Sequence, residues 1–197
     1  MLTNVRATYD RTFMNKHHVA AMVGWEQQYN TFTTASATRR NFLTPAIDQL
    51  NQGSVSAADQ GVGGAADNTG NNNYFGRLNY DFKSKYLFEF LFRYDGSEKF
   101  PKDRRYGFFP GALIAWRLSE EGFIKNNLSF VNQLKLRATY GELGNNRIGS
   151  LQYLQSFSIG QNYVFGTSDA PVIYSSLLSN PLVTWERAQK TDIGLEA

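Results

Sequence analysis

A two-residue alternation of apolar and polar positions organises this chain. It is clearest from Asn73 to Phe82, where Tyr74, Gly76, Leu78, Tyr80 and Phe82 fall on one side. Asn73, Phe75, Arg77, Asn79 and Asp81 fall on the other. Successive side chains of an extended strand point to opposite faces, so this stretch predicts a strand with one apolar and one mostly polar face. After Lys83-Ser84-Lys85 the pattern resumes, with Tyr86, Phe88, Phe90, Phe92 and Tyr94 alternating with Leu87, Glu89, Leu91 and Arg93. A hairpin turning at 83–85 pairs Phe82 with Tyr86, Tyr80 with Phe88 and Gly76 with Phe92. Both apolar faces then lie on one side, so register and pattern agree, and the Phe92 ring covers the bare backbone of Gly76. On the polar side Arg77 and Glu89 become diagonal neighbours able to pair.

The same reading predicts five more strands. They are Val5 to Phe13, Val19 to Glu26, Tyr106 to Leu118, Leu134 to Gly141, and Trp185 to Glu196. A short turn at Met14-Asn15-Lys16 makes the first two a hairpin, and a turn of helix is expected only near Ser119–Lys125. The predicted fold is all-β, an antiparallel meander of long strands. The connections sort by length. Segments 31–72, 96–105 and 145–182 are read as long loops on one side of the meander, and 14–16, 83–85 and 119–133 lie on the other. Outer-membrane barrels sort their connections in this way, and a soluble sandwich has no reason to.

The size of the apolar residues sharpens the picture. Tyr stands at both ends of the Tyr86–Tyr94 face with Phe between, eight residues apart, or ~26 Å at ~3.3 Å per residue. A ~40° tilt reduces that to ~20 Å, close to the ~25 Å apolar band with aromatic girdles of a barrel wall. Tyr74, Leu78, Tyr80, Phe88, Phe90, Phe92 and Tyr94 are therefore expected to face lipid. Arg77, Asn79, Asp81, Glu89, Arg93, Lys135 and Arg137 are expected to face an aqueous lumen, because charges of both signs would be costly in a dry core.

Composition excludes most chemistry. The 197 residues contain no cysteine, which removes disulfides and thiol nucleophiles. Net charge is +3 without a basic cluster, so no nucleic-acid partner is indicated. Mean hydropathy is −0.42 and no window approaches a membrane-spanning helix. His17 and His18 are the only histidines, and neighbours in a strand point apart, so no shared metal site is expected. The GVGG run at 61–64 lacks the Lys and Ser/Thr of a phosphate loop and reads as flexible loop. Asp95-Gly96 reads as a turn. Asp103, Arg104 and Arg105 read as a solvated loop. Glu120-Glu121 has no apolar pocket to raise a carboxyl pKa. Asn127-Leu128-Ser129 fits a glycosylation pattern, which would mean nothing on the periplasmic side of such a barrel. No catalytic residue, cofactor or metal site is assigned, and an enzyme is not expected. Tyr153, Phe157, Tyr163, Phe165 and Tyr174 in 145–182 are candidates for ligand or partner contact, or equally for packing of an extended hairpin. The opening reads as mid-strand, without a secretory signal, and the close lacks a turn, so the chain is expected to be a fragment.

Several stretches in series resemble one family. They are Tyr74-Phe75-Gly76-Arg77, Asn79-Tyr80-Asp81, Lys85-Tyr86-Leu87, Arg93-Tyr94-Asp95-Gly96-Ser97 and Arg105-Tyr106-Gly107-Phe108-Phe109-Pro110. They continue with Ala115-Trp116-Arg117-Leu118-Ser119-Glu120-Glu121, Leu134-Lys135-Leu136-Arg137-Ala138-Thr139-Tyr140-Gly141, Asn180-Pro181-Leu182, Trp185-Glu186 and Thr191-Asp192-Ile193-Gly194-Leu195-Glu196. This resembles the barrel of SusC/RagA TonB-linked outer-membrane transporters. Loops 31–72 and 145–182 carry no such match. The resemblance implies that residues 1–197 form part of a large plugged barrel in the bacterial outer membrane. It implies a plug domain, a TonB box and further strands outside this sequence. It also implies TonB and a SusD-like lipoprotein lid as partners of the parent, importing oligosaccharides or peptides. A soluble all-β ligand-binding module and a passive porin are the alternative readings.

Overall fold

The computed structural model describes residues 1–197 except Asp48 and Ser129, and only the backbone of Gln161 and Asn162. The glycosylation pattern ending at Ser129 thus lies partly outside the described residues. Alternation produces strands wherever it was read: β1 (Leu2–Phe13), β2 (His17–Arg39), β3 (Gln60–Phe82), β4 (Tyr86–Ser97), β5 (Tyr106–Arg117), β6 (Lys135–Asn145) and β9 (Glu186–Glu196). They form one antiparallel seven-stranded sheet in the order β1-β2-β3-β4-β5-β6-β9. The expected register is the observed one, with Phe82 opposite Tyr86, Tyr80 opposite Phe88 and Gly76 opposite Phe92. A Cβ on Gly76 would lie 2.5 Å from the Phe92 ring, so only glycine leaves the ring its seat. Between β5 and β6 the chain makes the single-turn helix α1 (Gly122–Lys125).

Both tight hairpins close with the same chemistry. Lys16 N–H donates to Phe13 O, and Lys85 N–H to Phe82 O, each at 3.0 Å. The central residues are Met14 (φ 52°) and Asn15 (φ 53°), and Lys83 (φ 55°) and Ser84 (φ 56°). Positive φ at both centres matches the right-handed twist of the flanking strands, but an L-residue there costs ~1–2 kcal/mol. Asp81 Oδ1 accepts from Ser84 N–H at 2.6 Å and holds the second turn. Ser84→Gly keeps that bond and relieves the strain. We expect it to raise the unfolding free energy of the assembled protein by ~0.5–1 kcal/mol after glycine's entropy cost, read by urea titration in detergent.

Three loop assignments need correction. Segment 31–72 is not one long loop, because β2 runs on to Arg39 and β3 begins at Gln60. GVGG at 61–64 is therefore strand. Alternation was the wrong signal there. Antiparallel hydrogen bonding is a backbone property, and the threonines of TFTTASAT favour extended chain without an apolar face. Asp95-Gly96 is likewise strand, at the end of β4. Segment 145–182 contains a separate two-stranded hairpin, β7 (Ser156–Phe165) and β8 (Ser168–Leu177), closed at Gly166 with φ 66°.

The chain divides into two units. One comprises Met1–Gln28 and Gly70–Ala197, and the other Tyr29–Thr69. The smaller unit holds the outer parts of β2 and β3 with their connection. Its connection is pinned by Arg40 N–H to Asp59 O (2.9 Å) and Asn41 Nδ2 to Asp59 Oδ1 (2.8 Å).

Candidate functional site

In the larger unit the two faces of the sheet differ as the alternation requires. On the apolar face Tyr74, Leu78, Phe88, Phe90 and Tyr94 remain exposed, and Tyr80 and Phe92 are half-buried among neighbouring rings. The rings run in two belts with a Phe band between. Near the tight turns Phe82, Tyr86 and Trp116 stack at 6.2–6.3 Å between centroids, and His17 Nδ1 meets Tyr80 Oη at 2.8 Å. At the far end Tyr94 stacks on Tyr106 at 4.9 Å, and Tyr106 Oη accepts from Asn72 Nδ2 at 3.1 Å. Between the belts Phe92 lies 6.4 Å from Phe90 and 6.1 Å from Phe108. Polar ring edges thus mark both margins of β4 and its neighbours, and hydrocarbon rings fill the middle of β4.

Glu121, discounted in the sequence as a turn residue, ties the belt nearest the turns together. Its carboxylate accepts from Lys85 Nζ (3.0 Å), Tyr86 Oη (2.9 Å) and Trp116 Nε1 (3.1 Å). The bond from Lys85, then those from Trp116 and Tyr86, hold this carboxyl below the usual carboxylate range. A lowered folded-state pKa contributes stability that is present above the unfolded value and is lost as pH falls through the folded one. Acidification below ~4.3 is therefore expected to loosen the belt, seen as a change in tryptophan emission. Glu121→Gln should flatten that transition, and a transition unchanged in the variant would assign it elsewhere.

The polar face carries the charged residues expected there. Arg77 and Glu89 sit diagonally, with Nη1 3.9 Å from Oε2. Arg137 bridges Asp192 (2.9 Å) and Glu196 (2.8 Å), and Glu196 also takes Lys135 at 2.7 Å. Arg93 grips Asp95 through two bonds of 2.9 Å. Asp81 is engaged by the turn, and Asn79 leaves its buried Oδ1 without a partner among the described residues. His18 turns to this face and meets Asp10 at 3.1 Å, opposite in sense to His17. Among the described residues, no group of three His, Cys, Asp or Glu is placed to hold a metal ion.

A buried aromatic knot on the polar side escaped the sequence reading. Phe100 and Phe109 are 0% and 2% exposed, and Trp185 packs on both at 5.1 and 5.3 Å. The cause lies in the ladder. β5 pairs with β6 only from Gly111/Gly141 to Arg117/Lys135, whereas β6 pairs with β9 out to Asn145/Glu186. The outer halves of β5 and β6 are thus unpaired with each other, and Phe109 fills the opening over Gly107 and Gly144, where any Cβ would strike its ring. Side chains add donors to the backbone there: Trp185 Nε1 donates to Arg105 O at 3.0 Å, beside the bond from Ser97 N–H (3.2 Å), and Arg187 Nη1 donates to Phe108 O at 3.4 Å. The one legible signal was that Phe109 falls on the polar parity of β5 between two glycine-bearing strands.

The five aromatic candidates do not form one surface. Tyr163 and Phe165 contact each other at 4.8 Å. Phe157 is opposite Ser175 while Tyr174 is opposite Ser158, which puts Phe157 and Tyr174 on different faces of β7–β8. Tyr153 precedes the hairpin and is half-buried.

No family model matches the chain. A TonB-dependent receptor P3 of Formosa agariphila is 31% identical over 191 residues, covering 96% of this chain and 18% of that protein. TonB-dependent receptor SusC of Bacteroides thetaiotaomicron is 35% identical over 131 residues, covering 62% of this chain and 12% of that protein. The structure of the RagAB peptide transporter aligns with a TM-score of 0.81 at 24% identity, over 98% of this chain and 21% of the transporter chain. This chain is a SusC/RagA-like segment. It spans less than a fifth of the length of these two curated relatives. The open seven-stranded sheet of the SusC/RagA-like segment is a fold shared with part of that transporter, and every strand resembling the family in sequence lies in this sheet.

Proposed function

We propose that residues 1–197 are barrel wall in a TonB-dependent outer-membrane importer. The observation that carries the reading is the apolar face, open between two aromatic belts, backed by a face of ion pairs. Hydrocarbon would meet Tyr74, Leu78, Tyr80, Phe88, Phe90, Phe92 and Tyr94. The aqueous interior would meet Arg77, Asn79, Asp81, Glu89, Arg93, Lys135 and Arg137 and hold the plug. Segments 31–72, 96–105 and 145–182 would stand on the external side, whatever their internal structure. A soluble binding module would cover the apolar rings with a second layer. The segment's role is structural and transport-linked rather than enzymatic, with the cargo an oligosaccharide or peptide and a SusD-like lipoprotein as lid. The names borne by the relatives support a TonB-dependent receptor, and that of the structurally similar transporter supports a peptide cargo; the oligosaccharide and the lid follow from the family resemblance, and the exposed aromatics of β7–β8 suit lid or ligand contact.

Purification of the full-length protein from outer membranes is expected to bring a lipoprotein with it. Cargo uptake by cells is expected to stop when the proton-motive force is collapsed. Uptake that continues without energisation would indicate a passive porin instead.

A further inference from the structure

The apolar face is not uniformly filled. Along β6 the row drops to a methyl group at Ala138, which stands between Ile114 of β5 and Ile193 of β9. Leu136 continues the row beside Trp116. Large side chains on both flanks of a small one leave a groove of about 640 Å³ lined by Phe88, Ile114, Trp116, Leu136, Ala138 and Ile193, among others. That is within the ~300–1,000 Å³ range of ligand pockets. Its lining is almost wholly hydrocarbon, but one end is not. Tyr86 and Trp116 line the groove and also donate to Glu121, whose carboxylate holds the Lys85 ammonium. Lys125 and Glu120 make a second ion pair on the same connection at 3.2 Å.

We propose that this groove is a specific glycerophospholipid site: one acyl chain lies along Ala138, and the headgroup sits at Lys85 and Glu121. The proposal rests on the wall reading above and adds to it. A wall in contact only with bulk lipid needs no slot, and flush packing of Val or Leu at position 138 would serve it as well. The end chemistry selects the occupant. A phosphate carries negative charge for Lys85, and a zwitterionic headgroup returns an ammonium to Glu121. A bare alkyl chain would leave that ion pair unused, and a second protein chain would need a surface of matching relief. The groove lies at the tight-turn margin, so it draws on the leaflet on that side.

Two variants and a mapping experiment test the site in the full-length protein, purified in mild detergent and analysed by native mass spectrometry. Ala138→Phe fills the groove from its floor and is compatible with both strand and lipid exposure. It is expected to reduce retained phospholipid about tenfold, with membrane assembly intact. Lys85→Met should weaken retention of phospholipid but not of an uncharged alkyl detergent. In the unaltered protein, a phospholipid carrying a photoreactive acyl chain should label Ile114 and Ile193 preferentially. Unchanged retention in an assembled Ala138→Phe protein overturns the site while leaving the wall reading in place. So does label spread evenly over the Phe band, or a cross-linked second copy in the groove. If Ala138→Phe fails to assemble, the labelling pattern decides by itself. Failure of the unaltered protein to enter membranes would overturn the wall reading instead.

Discussion

Replacing Phe90 with arginine is expected to abolish membrane assembly of the protein that carries this chain. Phe90 lies midway between the Tyr86 and Tyr94 margins and is exposed on the apolar face, with the Phe92 ring as its neighbour. A guanidinium there has only Leu78 and Ala112 as cross-strand neighbours, with no charge beside it, and must be desolvated or drag water into the hydrocarbon. At mid-bilayer depth on a barrel that costs ~2–4 kcal/mol, a large share of ~5–15 kcal/mol of total stability. The measurement is the fraction of protein in washed outer membranes and its heat-modifiable mobility. Glu89→Gln next door is the control. It points to the ion-paired face, and loses only a 3.9 Å contact of partly exposed groups, worth at most ~1 kcal/mol. Equal behaviour of the two variants would mean that the faces are not differently solvated, and the wall reading would fall.

That contrast also explains what could be read from the sequence. The paired strands were legible because a one-residue slip inverts every side chain, so pattern fixes register. The Arg77–Glu89 diagonal and the seat of Phe92 over Gly76 followed from register alone. Extended chain without an apolar face was not legible. In 31–39 and 60–72 the residues are small or polar apart from Phe32 and Val62, and no alternating apolar face distinguishes a ladder from a loop. The anchoring role of Glu121 was not legible for a different reason. Its three donors come from 85, 86 and 116, and only the folded sheet brings them to one carboxylate. The aromatic candidates of 145–182 were picked by residue type, and type does not say which face of β7–β8 a ring will take.

The second large effect is expected at Phe109, where the sequence offered least. Phe109→Ala removes a fully buried ring from the place in the sheet where the outer halves of β5 and β6 lack each other as partners. The lost ring contacts and the void between Phe100, Trp185 and Gly144 should cost ~3–5 kcal/mol. The loss should stay local, because the β5–β6 ladder below Gly111 and the apolar face do not depend on it. Membrane assembly is thus expected to survive, while the connections that pack on the knot, represented by Phe100, Ile148 and Val183, lose protection. Hydrogen exchange or limited proteolysis across 96–105 and 145–185 reads this directly. Trp185→Phe separates packing from hydrogen bonding. It keeps most of the ring but removes one of the two donors to the Arg105 carbonyl, which still accepts from Ser97 N–H at 3.2 Å, a loss of ~0.5–1.5 kcal/mol. Protection across both connections should fall less than in Phe109→Ala. Unaltered protection in Phe109→Ala would mean that the knot merely fills space, and that the outer connections are held by other contacts.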